Sequence, residues 1–227
     1  MSFLGFFLQA DDAAESIGVQ NIIQILGSGG PLGMAINVIL LLLSVLAVFI
    51  FFERFFTIKK ATNIDESFMN NIKAAVTSGN IAGAKAMLAG LNSPYARMVE
   101  KGVARIGKPL RDIDAAIENV GNLEVFKLEK NLAALASISG AAPMIGFFGT
   151  VTGMIQAFYE MSTADNVTPD VLAGGIYTAL VTTAIGLFIG IISFVGYNYL
   201  VAQVDKAINK MEMTSIDFMD LLQEPTA

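Results

Sequence analysis

The sequence contains no histidine and no cysteine. Those absences remove imidazole and thiolate metal sites, disulfides, Cys and His nucleophiles, and the Ser-His-Asp arrangement. Charge is scarce too. Only 15% of the 227 residues are charged, where a soluble domain carries about 25%. What charge there is avoids long stretches: no Asp, Glu, Lys or Arg occurs in Val38 to Phe52, Leu132 to Tyr159 or Val171 to Val204. Proton relays and pumps normally hold an ionisable group inside the membrane, so this chain cannot by itself be a carboxylate proton carrier. No GxxxxGKS/T loop is present to cradle a phosphate. Basic residues are interleaved with acids, which argues against a nucleic-acid surface. Glu53, Glu100, Glu118 and Glu124 stand without a nearby His, Cys or metal-ligand spacing. The chain therefore does not read as an enzyme, and it implies no cofactor.

What is present is apolar: 54% of residues are hydrophobic, and the mean hydropathy is +0.62. The uncharged runs can cross the ~30 Å hydrocarbon core of a bilayer. The expected fold class is an all-α membrane protein with three transmembrane helices, the second and third long and extending into a cytoplasmic helical domain. The organisation reads as an N-terminal segment over 1–31 with a short amphipathic helix, a first span over 32–56, a helical region over 57–131, a second span over 132–161, a turn over 162–170, a third span over 171–204 and a tail over 205–227. Ser2 to Leu8 is short, with no basic residue before it, so the first span serves as the targeting signal.

Within 57–131, apolar spacing and breaks predict helices at about 64–78, 80–90, 94–106 and 111–131. The last is expected to run without interruption into the second span. Pro143 predicts a bend there. Thr168 is placed to cap the third span, with Pro169 at its first position. All 14 Lys and Arg fall within 54–130 and 206–210. By the positive-inside rule those segments are cytoplasmic, with the N-terminus and the 162–170 turn outside.

The second span has an unusual face. On a helix, Ser139, Pro143, Gly146, Thr150, Gly153 and Ala157 form one stripe, with the large Phe147, Val151, Met154 and Phe158 to one side. Small residues let backbones approach closely, or leave room for something to pass. The third span gathers Gly175, Thr178, Ala179, Thr182, Thr183, Gly186, Gly190 and Ser193 on one broad face. A hydroxyl in a membrane helix usually bonds its own or a neighbouring backbone. Two such faces beside a first span of large residues allow either a subunit-packing surface or a hydrated path.

These segments carry a family resemblance. APMIGFFGTVTGMIQAF resembles the second transmembrane helix of the MotA/TolQ/ExbB proton-channel family, and GGIYTALVTTAIGLFIGIISFVGYNYL resembles the third. Glu53-Arg54 and SPYARMVEKG at 93–102 are similar to the ExbB/TolQ branch. The resemblance covers most of residues 30–210. It implies a homopentamer around an ExbD/TolR-like single-span partner that supplies a membrane Asp. It also implies an inner-membrane setting and a role in driving TonB-like or Tol-type envelope work with the proton motive force. Thr150 and Thr183 match the family's pore-facing threonines. The implied pore-lining set is Thr150, Thr183, Thr178, Thr182, Gly146, Gly153 and Gly186. Thr178 departs from the pattern, since the family often has Glu there.

Overall fold

The computed structural model describes residues 30–62, 67–163 and 169–223. The amphipathic N-terminal helix and the Thr168 cap therefore lie outside the described residues. Among the described residues seven helices follow in order: α1 Gly30–Thr62, α2 Ser67–Thr77, α3 Ile81–Ala89, α4 Pro94–Val103, α5 Leu110–Glu129, α6 Leu132–Thr163 and α7 Pro169–Gln223. The described residues contain no strand, and the protein is an all-α membrane protein. Three stretches are long and apolar enough to cross a membrane: Gly30–Thr62, Leu110–Thr163 (α5 and α6 taken together) and Leu172–Gln223. At 1.5 Å per residue α7 is ~80 Å long, so the third span and the tail are one helix.

The chain divides into two compact units. Among the described residues, one contains those from Gly30 to Val48 and from Ala136 to Phe194; the other contains those from Phe49 to Leu135 and from Val195 to Gln223. In the first unit α1 turns Ile36, Asn37, Leu40 and Ala47 inward. Its other faces expose Leu41, Leu42, Val45 and Leu46, which suits contact with lipid.

The second unit is built on short helices with clear local signals. Gly79, at φ +72, follows the end of α2, a conformation that costs glycine little. Asn80 caps α3 by accepting a hydrogen bond from the Gly83 N–H at 2.9 Å. Ser93 caps α4 by accepting from the Ala96 N–H at 3.2 Å, and Pro94 occupies the first turn. Pro is favoured there because that N–H has no helical partner anyway. Helix α4 buries Tyr95, Met98, Val99 and Val103. The Tyr95 hydroxyl donates to the Ala207 carbonyl at 3.5 Å. Gly102 leaves space for the Phe218 ring, which is fully buried.

One sequence expectation is corrected. Helix α5 does not run unbroken into α6. Lys130 is extended (ψ 136°) and Asn131 is left-handed (φ 64°). Asn is one of the few residues other than Gly that tolerate that region. The break frees carbonyls in the last turn of α5, which need new partners. Arg54 supplies one, donating to the Lys127 carbonyl at 3.0 Å. Arg54 is itself buried and paired with Glu53.

Candidate functional site

The small-residue stripe of α6 meets the small face of α7 within one chain. The contact is backbone against backbone. A Cβ added to Gly186 would stand 2.6 Å from the Ala142 carbonyl oxygen and 2.9 Å from the Gly146 Cα. A Cβ on Gly146 would meet the Thr182 carbonyl oxygen at 3.1 Å. Further along the seam Gly190 receives the Pro143 ring, Gly153 lies against Ala179, and Gly175 lies against Ala157. The glycines are there because no side chain fits between the helices. Gly146, Gly153 and Gly186 thus set how closely α6 and α7 approach.

That approach brings two hydroxyls together. Thr150 of α6 and Thr183 of α7 are hydrogen-bonded to each other. The Thr183 hydroxyl also lies 2.8 Å from the Gly146 carbonyl. A hydroxyl has one proton to give. With the Thr183 proton on Gly146, the Thr150 proton goes to Thr183, and the Thr150 oxygen keeps acceptor capacity. Both threonines are half-buried, so the pair is reachable from one side of the seam.

Thr182 faces differently. Successive helical residues are about 100° apart, and Thr182 turns toward α1. It is buried, its methyl sits against Gly149, and its hydroxyl donates either to the Asn37 side-chain oxygen at 3.3 Å or to the Thr178 carbonyl at 3.1 Å. Thr178 is half-buried and donates to the Gly174 carbonyl at 3.0 Å. The structure therefore joins Thr150 with Thr183 on one side of the seam. It sets Thr182 and Thr178 along an open cavity of about 190 Å³ lined by α1, α6 and α7. Asn37 escaped the sequence reading. Its signal was a single amide in an otherwise apolar, uncharged run, and an amide buried in a span needs a partner. Among the described residues no cluster of His, Cys, Asp and Glu could hold a metal ion.

Residues 90–213 match the family described as the MotA/TolQ/ExbB proton channel family. The matched stretch is more than half of the chain and contains α6, most of α7 and the Thr150–Thr183 pair. The chain belongs to the MotA/TolQ/ExbB proton channel family. Its ExbB/TolQ affinity appears in individual relatives. It is 39% identical over 99 residues to the Tol-Pal system protein TolQ of Haemophilus influenzae, covering 44% of this chain and 42% of that protein. It is 34% identical over 122 residues to the TolQ of Pseudomonas aeruginosa, covering 51% and 53%. It is 30% identical over 108 residues to the biopolymer transport protein ExbB of Xanthomonas campestris pv. campestris, covering 48% and 43%. These matches span about half, or less, of the relatives' lengths. Family membership and the three apolar helical stretches make the chain a multi-pass membrane protein of a proton-channel family, which is not an enzyme family.

Proposed function

We propose that the chain is the pore-forming subunit of an ion-driven motor in the bacterial inner membrane. In this reading it uses the proton motive force, with an ExbD/TolR-like single-span partner, to energise TonB-dependent outer-membrane transport. It assembles as a homopentamer with its N-terminus periplasmic and its C-terminus cytoplasmic. The observation that carries the proposal is the Thr150–Thr183 pair, a hydrogen-bonded hydroxyl couple in two stretches, Leu132 to Tyr159 and Val171 to Val204, with no acidic or basic side chain. Such a wall stores no proton. A carboxylic acid from the partner supplies the titrating group.

The hydroxyl chemistry suits that task. When the partner's acid is protonated, its O–H donates to the free lone pair of Thr150. When the acid is ionised, the Thr150 hydroxyl rotates and donates to the carboxylate. One side chain thus serves both states of the carrier without itself ionising. Gly146, Gly153 and Gly186 complete the proposed wall, while Thr178 and Thr182, grouped with them by the resemblance, stand on the α1 side of the seam. The glycines act by holding the two helices at the separation that the pair requires.

The test is proton flux in liposomes holding the chain with its co-purifying single-span partner. Thr150→Ala with Thr183→Ala abolishes flux and leaves the complex assembled, and the corresponding Ser variants restore it. A fully active double Ala variant would support a non-conducting scaffold for the partner instead. The matches to proteins named TolQ support a second reading, envelope maintenance in place of TonB-linked uptake. A deletion strain separates the two: uptake fails in the first, and envelope integrity fails while uptake persists in the second.

A further inference from the structure

The cavity on the α1 side of the seam is not part of the Thr150–Thr183 wall. It is lined by Gly30, Leu32 and Gly33 of α1, by Thr152, Gln156 and Glu160 of α6, and by Gly174, Thr178 and Thr182 of α7, among others. The residues run from the 160–174 end of the spans inward to Gly149 and Thr182. Thr182 lies ~20 Å along α7 from Pro169 at 1.5 Å per residue. The cavity therefore reaches towards the middle of a ~30 Å hydrocarbon core.

Polar side chains recur along a lining otherwise made mostly of small residues. Glu160 stands exposed at the mouth, and the Gln156 amide donates to it at 3.0 Å. Thr152 and Thr178 follow, and Thr182 with Asn37 forms the floor. Gly30 takes a positive φ of 69°, and a Cβ there would collide with the Gln156 amide at 2.7 Å. Apolar cavities stay dry, whereas roomy polar ones fill with water. A volume of about 190 Å³ is well above the ~10–15 Å³ that one water needs.

We propose that this cavity is a hydrated vestibule inside each protomer, a site for water that opens at the Glu160 end. Water there reaches Gly149 and Thr182, each one residue from Thr150 and Thr183. Only the touching backbones of α6 and α7 separate it from the hydroxyl pair. The vestibule is a property of the single chain and stands whether or not Thr150 and Thr183 conduct.

The sequence suits the test because it has no native cysteine. Thr152→Cys, Thr178→Cys and Glu160→Cys are introduced singly into the full chain in membranes. Each is treated with a membrane-impermeant cationic methanethiosulfonate, which reacts with thiolate. A thiol forms thiolate only where water reaches it. Modification of Thr152→Cys and Thr178→Cys at rates within about tenfold of Glu160→Cys is the expected result. Gly174→Leu is then added. Gly174 lines the cavity and a Cβ there meets nothing within 4 Å, so a side chain is added without displacing a helix. It should slow modification of Thr152→Cys by roughly tenfold or more and leave Glu160→Cys unchanged, and an unchanged thermal unfolding transition reports that the protein is folded. Unreactive Thr152→Cys and Thr178→Cys beside a reactive Glu160→Cys would overturn the proposal. So would reaction at Thr152→Cys that Gly174→Leu does not slow, since the reagent would then arrive by another route.

Discussion

Replacing Gly186 with alanine tests whether the seam between α6 and α7 creates the hydroxyl pair. The added methyl would lie 2.6 Å from the Ala142 carbonyl oxygen and 2.9 Å from the Gly146 Cα, both backbone atoms, against ordinary contact at 3.4 Å or more. Backbone cannot swing aside as a long side chain can, so the helices must separate locally by about 1 Å. The bond from Thr183 to the Gly146 carbonyl, now 2.8 Å, stretches to about 3.8 Å, outside hydrogen-bond range. The Thr150–Thr183 bond weakens with it. Overpacking costs about 1–3 kcal/mol, and the two bonds together add about 1–2 kcal/mol in a membrane setting. Better helix propensity returns ~1 kcal/mol, leaving a net loss of roughly 1–4 kcal/mol. Gly140→Ala is the matched control, because a Cβ there meets nothing within 4 Å. Denaturant unfolding in detergent micelles compares the two. Oxidative cross-linking of Thr150→Cys with Thr183→Cys follows the pair itself, since a disulfide needs Cβ atoms only ~3.5–4.5 Å apart. Gly186→Ala should lower both stability and cross-link yield. Equal stability for the two alanine variants, with cross-linking undiminished, would refute the reasoning.

Thr182 and Asn37 should be energetically coupled across α7 and α1. A double-mutant cycle with Thr182→Val and Asn37→Leu is expected to give about 0.6–1 kcal/mol of coupling, and zero coupling would show that the buried contact is idle. In the other unit, burial pushes the Glu124 carboxyl up, but hydrogen bonds from Arg97 and Lys127 and their charges more than offset it, holding the group below its ordinary value of 4.5. A lowered folded value stabilises the protein above the unfolded value and loses that contribution as pH falls through the folded one. Acid unfolding should therefore steepen below pH ~4.5, and Glu124→Gln should flatten that limb while costing about 1–2 kcal/mol at neutral pH. Phe218→Ala empties the space over Gly102 and should cost about 3–5 kcal/mol. A loss under ~1 kcal/mol in thermal unfolding would mean that the cavity collapses without penalty.

Several features were legible because they depend on residues close in sequence. Asn80, Ser93 and Pro94 mark helix starts through capping chemistry that acts within one turn. Gly79 and Gly107 mark breaks because the backbone there takes a positive φ. The stripe from Ser139 to Ala157 was visible as a periodicity. Three features were not legible. The interruption at Lys130–Asn131 lies in a run that contains neither Gly nor Pro, and the carbonyl it frees is taken by Arg54, 73 residues away from Lys127. Asn37 was passed over because an isolated amide has no period. Thr182 and Thr183 are neighbours in sequence and were grouped together, yet they face opposite sides of the seam.

The sequence by itself determined that the chain enters a membrane, how many times it is able to cross, and that Val38 to Phe52, Leu132 to Tyr159 and Val171 to Val204 hold no acidic or basic side chain. Composition and run length decide those points, because the cost of placing charge in hydrocarbon is a property of each segment. Periodicity also showed which residues share a helix face. It could not show what that face meets, because burial is a relation between two segments. Only the tertiary structure decided that the small stripe of α6 lies against α7 of the same chain. It also decided that the contact at Gly146 and Gly186 brings Thr150 to Thr183, and that a polar cavity opens on the other side of the same two helices.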